Sequence, residues 1–253
     1  MEFTKKKIVE GVVEQSFELT VAGEKVPGVI WLREGAKGPR PLILMGHGGS
    51  QHKKIAEMRT LAQTYARELY YAAVAIDLPG HGDRISREEA AAFAEQAGKM
   101  IRGGSQLDIK FAKSMVDRIN RAVPEWKATL DAVQQLDFIG SDGPVGYWGI
   151  SMSTAVGVPF VSTEPRIKCA VFGLAGLNRE AMDFETSARA ITIPIHYTIQ
   201  WDDAIAPRQT CMALYEAFGS KEKSMHVNPG GHIDIPPHES ASWKVFFERH
   251  LGK

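Results

Sequence analysis

The chain has 253 residues, 44% of them hydrophobic and 24% charged, which is ordinary for a globular domain and excludes a disordered chain. Lys and Arg total 30 and Asp and Glu total 30, so the formal net charge is zero and no nucleic-acid footprint is expected. The longest apolar runs, Leu69–Ile76 and Cys169–Leu177, fall short of the ~18 residues of a membrane span. In chain order, Glu14–Val21 and Lys25–Arg33, joined by Ala22–Glu24, read as an opening β-hairpin. Pro41–Met45 reads as a short buried strand. Ile55, Met58, Ala62, Tyr65 and Leu69 recur at helical spacing, which predicts an amphipathic helix over 53–69. Tyr70–Asp77 is the next strand, stopped by Pro79-Gly80-His81-Gly82. Ser86-Arg87-Glu88-Glu89 is a capping box that opens a helix to Ile101. Gly103-Gly104 breaks it. A second helix carries Leu107, Phe111, Met115 and Ile119 at i+4 spacing, and Pro124 begins a third over Glu125–Leu136. Gly143–Gly149 is a strand followed by a helix from Met152. Ile167–Phe172, Ile193–Gln200 and Ser224–Asn228 read as strands, and Gln209–Phe218 and Ala241–Leu251 as helices.

Strands alternating with helices predict an α/β fold, a parallel sheet covered on both faces with the hairpin as an antiparallel edge. No linker or repeat divides residues 1–253, so one domain is expected. The opening MEFTKKKIVEGVVEQ has basic residues without an apolar run behind them, so no signal peptide is expected. Cys169 and Cys211 are too few for a disulfide scaffold and read as buried, reduced thiols of a cytoplasmic protein.

Reactive groups of such a sheet sit just past the carboxyl ends of its strands. Three segments qualify. Gly149-Ile150-Ser151-Met152-Ser153 lies between a strand and a helix and matches the nucleophile elbow G-x-S-x-G except at its last position. Gln200-Trp201-Asp202-Asp203-Ala204-Ile205-Ala206-Pro207 closes another strand. Either carboxylate there is placed to orient an imidazole, or to cap the next helix. Pro229-Gly230-Gly231-His232 follows the last strand, and its glycines let the loop bring His232 back across the sheet.

The order Ser, Asp, His and five motifs in sequence resemble the α/β-hydrolase superfamily over nearly the whole chain. Gly46-His47-Gly48-Gly49-Ser50 resembles its His-Gly oxyanion loop. Asp77-Leu78-Pro79-Gly80-His81-Gly82 resembles its D-x-P-G-H-G turn. Gly149–Ser153 resembles the elbow, and Gly231-His232 the histidine turn. Gln200–Pro207 aligns with G-x-x-D-x-x-V-P and places the acid at Asp203. The compact size is similar to dienelactone-hydrolase-like and prolyl-oligopeptidase-like small serine carboxylesterases, although dienelactone hydrolases carry Cys where this chain has Ser151. Gln200 and Ser153 each replace a family glycine.

The resemblance implies an α/β-hydrolase fold with a mostly parallel twisted sheet of about eight strands. It implies a catalytic triad of Ser151, Asp203 and His232, and an oxyanion hole from the N–H groups of Gly49 and Met152. It implies hydrolysis of small or medium carboxylic esters through an acyl-enzyme, with no cofactor. A thioesterase, lactonase or acyltransferase would share the triad, and a non-catalytic ligand-binding protein would share the fold. The expected partner is a small-molecule ester, with no nucleic acid and no membrane span, and the expected state is a monomer or small homo-oligomer.

The extra length at 84–124 reads as a small helical lid that brings Phe93, Met100, Ile101 or Phe111 over the pocket, or as ordinary packing on the sheet. His81, Trp201 and Phe111 are candidate pocket residues. Trp148 reads as core. His52 and Lys53 read as the exposed start of a helix, and Arg84 as a solvated side chain or a partner for a carboxylate substrate. His81, Asp83, His232, Asp234 and His238 lack metal-ligand spacing, so no metal is expected.

Overall fold

The computed structural model describes residues 1–101, 109–177 and 184–252, the side chains of 100, 101 and 109–115 excepted. Among the described residues nine strands form one sheet: β1 (Glu2–Val9), β2 (Val12–Val21), β3 (Glu24–Arg33), β4 (Leu42–Gly46), β5 (Ala72–Ile76), β6 (Val145–Gly149), β7 (Ile167–Gly173), β8 (Ile195–Gln200) and β9 (Lys223–Asn228). Their order across the sheet is β1-β2-β3-β5-β4-β6-β7-β8-β9. β1, β2, β3 and β5 pair antiparallel, and every pairing from β5 to β9 is parallel. The sheet is therefore mixed but mostly parallel.

Between them lie α1 (Ala56–Thr64), α2 (Arg87–Ile101), α3 (Ile109–Val133), α4 (Met152–Thr163), α5 (Glu185–Ala190), α6 (Arg208–Ala217) and α7 (His238–Leu251). None of the described helices is long and apolar enough to cross a membrane.

The period of two along a strand decides which helix layer each residue meets. In β4, Leu42 and Leu44 join one core cluster, with Ile119, Trp126 and Leu130 of α3, Val156 and Phe160 of α4, and Leu214 of α6. Ile43 and Met45 join the other, with Met58 and Leu61 of α1 and Trp243 and Phe247 of α7. Both faces are thus covered, and β4, β5 and β6 are buried at every position. Both cysteines are free and buried, as their apolar neighbours in the sequence predicted. Burial pushes the Cys211 thiol up to about 11.

The short helix α5 has no counterpart in the sequence reading, and two further elements differ from it. The strand count is nine rather than about eight, because Glu2–Val9 adds an outer strand. All eight of its residues are exposed, so it carries no one-sided apolar pattern. Its Lys5-Lys6-Lys7 run marks an edge strand guarded by charge. Pro124 also lies inside α3 instead of opening a new helix. A helix-interior proline costs ~3 kcal/mol. Ile119, Ala122, Trp126, Leu130 and Val133 form a buried stripe that runs straight past it and offsets that cost.

The capping box is formed. Glu89 N–H donates to Ser86 Oγ at 3.2 Å, and Ser86 N–H donates to Glu89 Oε2 at 2.8 Å. The helix predicted over 53–69 is α1 followed by one π-helical turn, Tyr65–Leu69, that stops at Tyr70 in a left-handed conformation (φ 63°).

Buried His47 and His81 tie acid stability to the fold. Burial and the neighbouring His81 push His47 down to about 3, and burial pushes His81 down to about 4. Their usual value is near 6.5, so below that pH the unfolded chain takes up protons that the folded protein refuses. Stability is present above ~6.5 and is lost as pH falls toward 4. At pH 5.5 these two alone cost roughly 3 kcal/mol, or about 6–12 °C in Tm for a chain of this size, and His196, which burial also pushes down to about 4, adds to the loss. Asp83 and Glu164, held low by Lys53 and Arg166, add their loss only at lower pH. Thermal melts from pH 7.5 to 5.0 check this. A flat Tm across that range would contradict it.

Candidate active site

The parallel sheet brings the ends of β4, β6, β8 and β9 together at one edge. β6 ends at Gly149, and α4 begins at Met152. Between them Ser151 has φ 58° and ψ −125°, a conformation that L residues avoid. Such strain costs ~1–3 kcal/mol and persists only where the surroundings over-determine it. Here Ser151 N–H is held by the Gly173 carbonyl at 2.8 Å. A Cβ at Gly149 would lie 2.8 Å from the Ser153 carbonyl oxygen and 2.8 Å from the Tyr147 ring, so the elbow closes only around glycine.

Ser151 Oγ lies 2.8 Å from His232 Nε2, and His232 Nδ1 lies 2.7 Å from Asp203 Oδ2. The other Asp203 oxygen accepts the N–H groups of Ile205 and Ala206 at 2.8 and 2.9 Å. The Asp203 side chain is 1% exposed and that of His232 10%. Asp202 does not reach the imidazole. It accepts from Gly230 N–H at 3.2 Å and so braces the loop that carries His232. Gln200 braces the same loop, its Nε2 donating to the Asp234 carbonyl at 2.7 Å. This is what the side chain does where the family has glycine.

The oxyanion-loop candidates lie beside this line. His47 is fully buried. Its Nδ1–H donates to the Gly48 carbonyl at 2.8 Å, and its Nε2 accepts Leu78 N–H at 3.1 Å. The two partners assign the neutral tautomer. Ser153 Oγ donates to the His47 carbonyl, so the residue that replaces the second elbow glycine ties α4 to this loop. Met152, as the first helical residue, has an N–H with no intrahelical acceptor. A Cβ at Gly49 would lie 3.9 Å from the Phe93 ring, which puts α2 next to the loop.

The candidate pocket residues divide. His81 is 1% exposed and packs against His47 and Phe93, with ring centroids 5.2 and 5.0 Å away. Trp201 is 47% exposed beneath the Arg208 guanidinium, 4.4 Å from its ring centre. The Phe111 side chain, with those of Met100 and Ile101, lies outside the described residues. Trp148 is core, packed on Trp243 at 5.4 Å.

Two polar residues differ from their sequence reading. Lys53 is 4% exposed, not an open helix start. Its ammonium bonds the buried Asp77 and, at 2.6 Å, Asp83. Asp77 also accepts Lys53 N–H at 2.9 Å and Asp83 N–H at 2.8 Å, locking the two loops together. Arg84 is likewise not solvated. It grips Glu125 of α3 with bonds of 2.7 and 2.8 Å and Glu24 with one of 3.0 Å. Both pairings span dozens of residues and leave no local sequence signal.

Asp77→Asn leaves the Lys53 ammonium buried with only the exposed Asp83. Breaking a buried pair costs ~3–5 kcal/mol. Urea unfolding is expected to show that loss for Asp77→Asn and a much smaller one for Asp83→Asn. Equal losses would refute the assignment.

No family model matches the chain. The fold resembles many solved structures. One is a polyethylene-glycol-bound cold-adapted esterase from an Arctic intertidal metagenomic library, with a TM-score of 0.79 and 32% identity over 99% of this chain and 100% of that one. The chain belongs to the α/β-hydrolase superfamily. Acetyl xylan esterase from Paenibacillus sp. R4 shares the fold, with a TM-score of 0.73 and 16% identity over 99% of this chain and 88% of that one. By sequence, the chain is 28% identical over 138 residues to the dihydrolipoyllysine-residue acetyltransferase component of the acetoin cleaving system of Cupriavidus necator. That match takes in 54% of this chain and 35% of that protein, so the chain spans about a third of that relative.

Proposed function

We propose that the chain is a serine hydrolase that cleaves small or medium carboxylic esters through an acyl-enzyme. The observation that carries this reading is the continuous line from Ser151 Oγ to His232 to Asp203, set on a strained turn at a helix start. The esterase likeness over the whole chain supports it. His232 Nε2 takes the proton of Ser151 Oγ as the oxygen attacks the acyl carbon. The imidazolium that results is stabilised by Asp203, whose position two backbone N–H groups hold fixed. The N–H groups of Met152 and Gly49 receive the oxyanion. His232 then protonates the leaving alcohol, and water attacks the acyl-enzyme along the same route in reverse. None of these steps needs a cofactor.

The acyl group would lie between the Gly49 loop and α2, against Phe93. In this reading 1–253 is one domain, and the described helical residues of 84–124 cover its site. Hydrolysis of p-nitrophenyl acetate through octanoate, with fluorophosphonate labelling of Ser151, tests the proposal. Turnover and labelling together are expected. Labelling without ester turnover would move the substrate to a thioester or lactone. The absence of both would favour a binding protein on this fold.

A further inference from the structure

The far end of the sheet gathers three side chains that the triad does not use. β8 and β9 run parallel with His196 opposite Ser224 and Thr198 opposite His226, so both histidines share the face that α7 covers. Glu239 stands in the first turn of α7 and is fully buried. His226 Nδ1 lies 3.1 and 3.2 Å from the two Glu239 oxygens, and His196 Nε2 lies 3.6 Å from Glu239 Oε2. One ligand atom from each residue lies within 4.8 Å of the other two. Asn228 Nδ2 donates to Glu239 Oε1 at 3.0 Å and holds the carboxylate in place.

An ordinary ion pair does not account for this cluster. His226 and Asn228 together satisfy Glu239, yet a second imidazole is packed against the first, ring centroids 4.3 Å apart at 72°. His196 is 3% exposed, and its Nε2 is buried without a hydrogen-bond partner, aimed at the same carboxylate. An orphaned buried nitrogen is costly. A tetrahedral zinc ion with ligand bonds of ~2.0–2.1 Å has ligand atoms roughly 3.3 Å apart. The separations of 3.1 to 3.6 Å about Glu239 bracket that value. Two neutral imidazoles and one carboxylate suit zinc, and do not suit Mg²⁺ or Ca²⁺, which take oxygen ligands. The His226 side chain is 41% exposed and gives an ion and its water a way in.

We propose that His196, His226 and Glu239 form a zinc-class divalent-cation site, completed by water, that staples the base of the histidine loop. His226 precedes that loop on β9, and Glu239 follows it on α7. His196 lies on β8, the strand that leads to Asp203. The ion would join the three elements that deliver two triad members and touch none of the reacting atoms. Its role is to stiffen the loop. The site does not depend on the ester reading, because its test reads binding.

The test uses the full chain without a histidine tag, stripped with EDTA and titrated with Zn²⁺ by calorimetry and thermal melting. One equivalent is expected to bind, and Tm is expected to rise by about 5–10 °C at a hundredfold excess over Kd. Mg²⁺ is expected to produce no shift. His226→Gln is expected to weaken zinc binding at least a hundredfold while leaving ester turnover of the stripped protein unchanged. Glu239→Gln is expected to weaken binding as well. His232→Ala, which removes the triad imidazole, is expected to retain the full equivalent and the Tm rise. Absence of stoichiometric binding to the native chain overturns the proposal. So does binding that survives His226→Gln, or that disappears in His232→Ala.

Discussion

Ester turnover by Ser151→Ala is expected to fall about 10⁴–10⁶-fold, with the fold intact. In the proposed reaction Oγ is the atom that forms the acyl bond, and no other hydroxyl is hydrogen-bonded to His232 Nε2 among the described residues. His232→Ala should lose nearly as much, because an undeprotonated hydroxyl is a poor nucleophile. The double variant should be no worse than the single ones, since the residues act as a unit. The same position predicts a stability effect of opposite sign. Alanine keeps the Cβ that makes φ 58° costly, whereas glycine does not. Ser151→Gly is therefore expected to melt higher than Ser151→Ala by the equivalent of ~1 kcal/mol. Steady-state kinetics on p-nitrophenyl butyrate and a thermal melt of each variant test both halves. Turnover within tenfold of native in Ser151→Ala would remove Ser151 from the chemistry.

What the sequence made legible follows from where information is local. The alternation of buried strands and amphipathic helices is written in neighbouring residues. So is the capping box Ser86–Glu89, and so is the elbow, where Gly149, Ser151 and a helix start fall within a few positions. Chain order alone put Ser151 and His232 at strand ends. What stayed hidden is set by contacts across the fold. Lys53 looks like a surface lysine until β5 brings Asp77 beneath it. Arg84 finds Glu125 only because α3 crosses the turn. The strand Glu2–Val9 pairs along an edge with no apolar face to announce it. The helix predicted from Ala241 starts at His238, and those early residues include Glu239. The three-residue cluster with His196 and His226 thus joins two strands and a helix start that no spacing rule connects.

Asp202 and Asp203 adjoin in sequence, and mutation is expected to separate them by orders of magnitude. Asp203→Asn should lower turnover about 10⁴-fold. The reason is geometric. One oxygen of Asp203 accepts two backbone N–H groups, from Ile205 and Ala206, so an asparagine must keep its carbonyl oxygen there. Its NH₂ group then occupies the other position, 2.7 Å from His232 Nδ1. Two donors cannot face each other, so the imidazole must present a bare Nδ1 and carry its proton on Nε2. That nitrogen is then unable to take the proton of Ser151 Oγ. Packing is preserved while the tautomer is wrong, so kcat is expected to fall with little change in KM. Asp202→Asn meets no such conflict. Among the described residues its carboxylate accepts only from the N–H of Gly230, a bond that an asparagine oxygen accepts equally well. Turnover should stay within a few-fold of native. Measuring kcat and KM for both variants across pH 6 to 9 decides the matter, and equal losses would show that Asp203 does not set the tautomer.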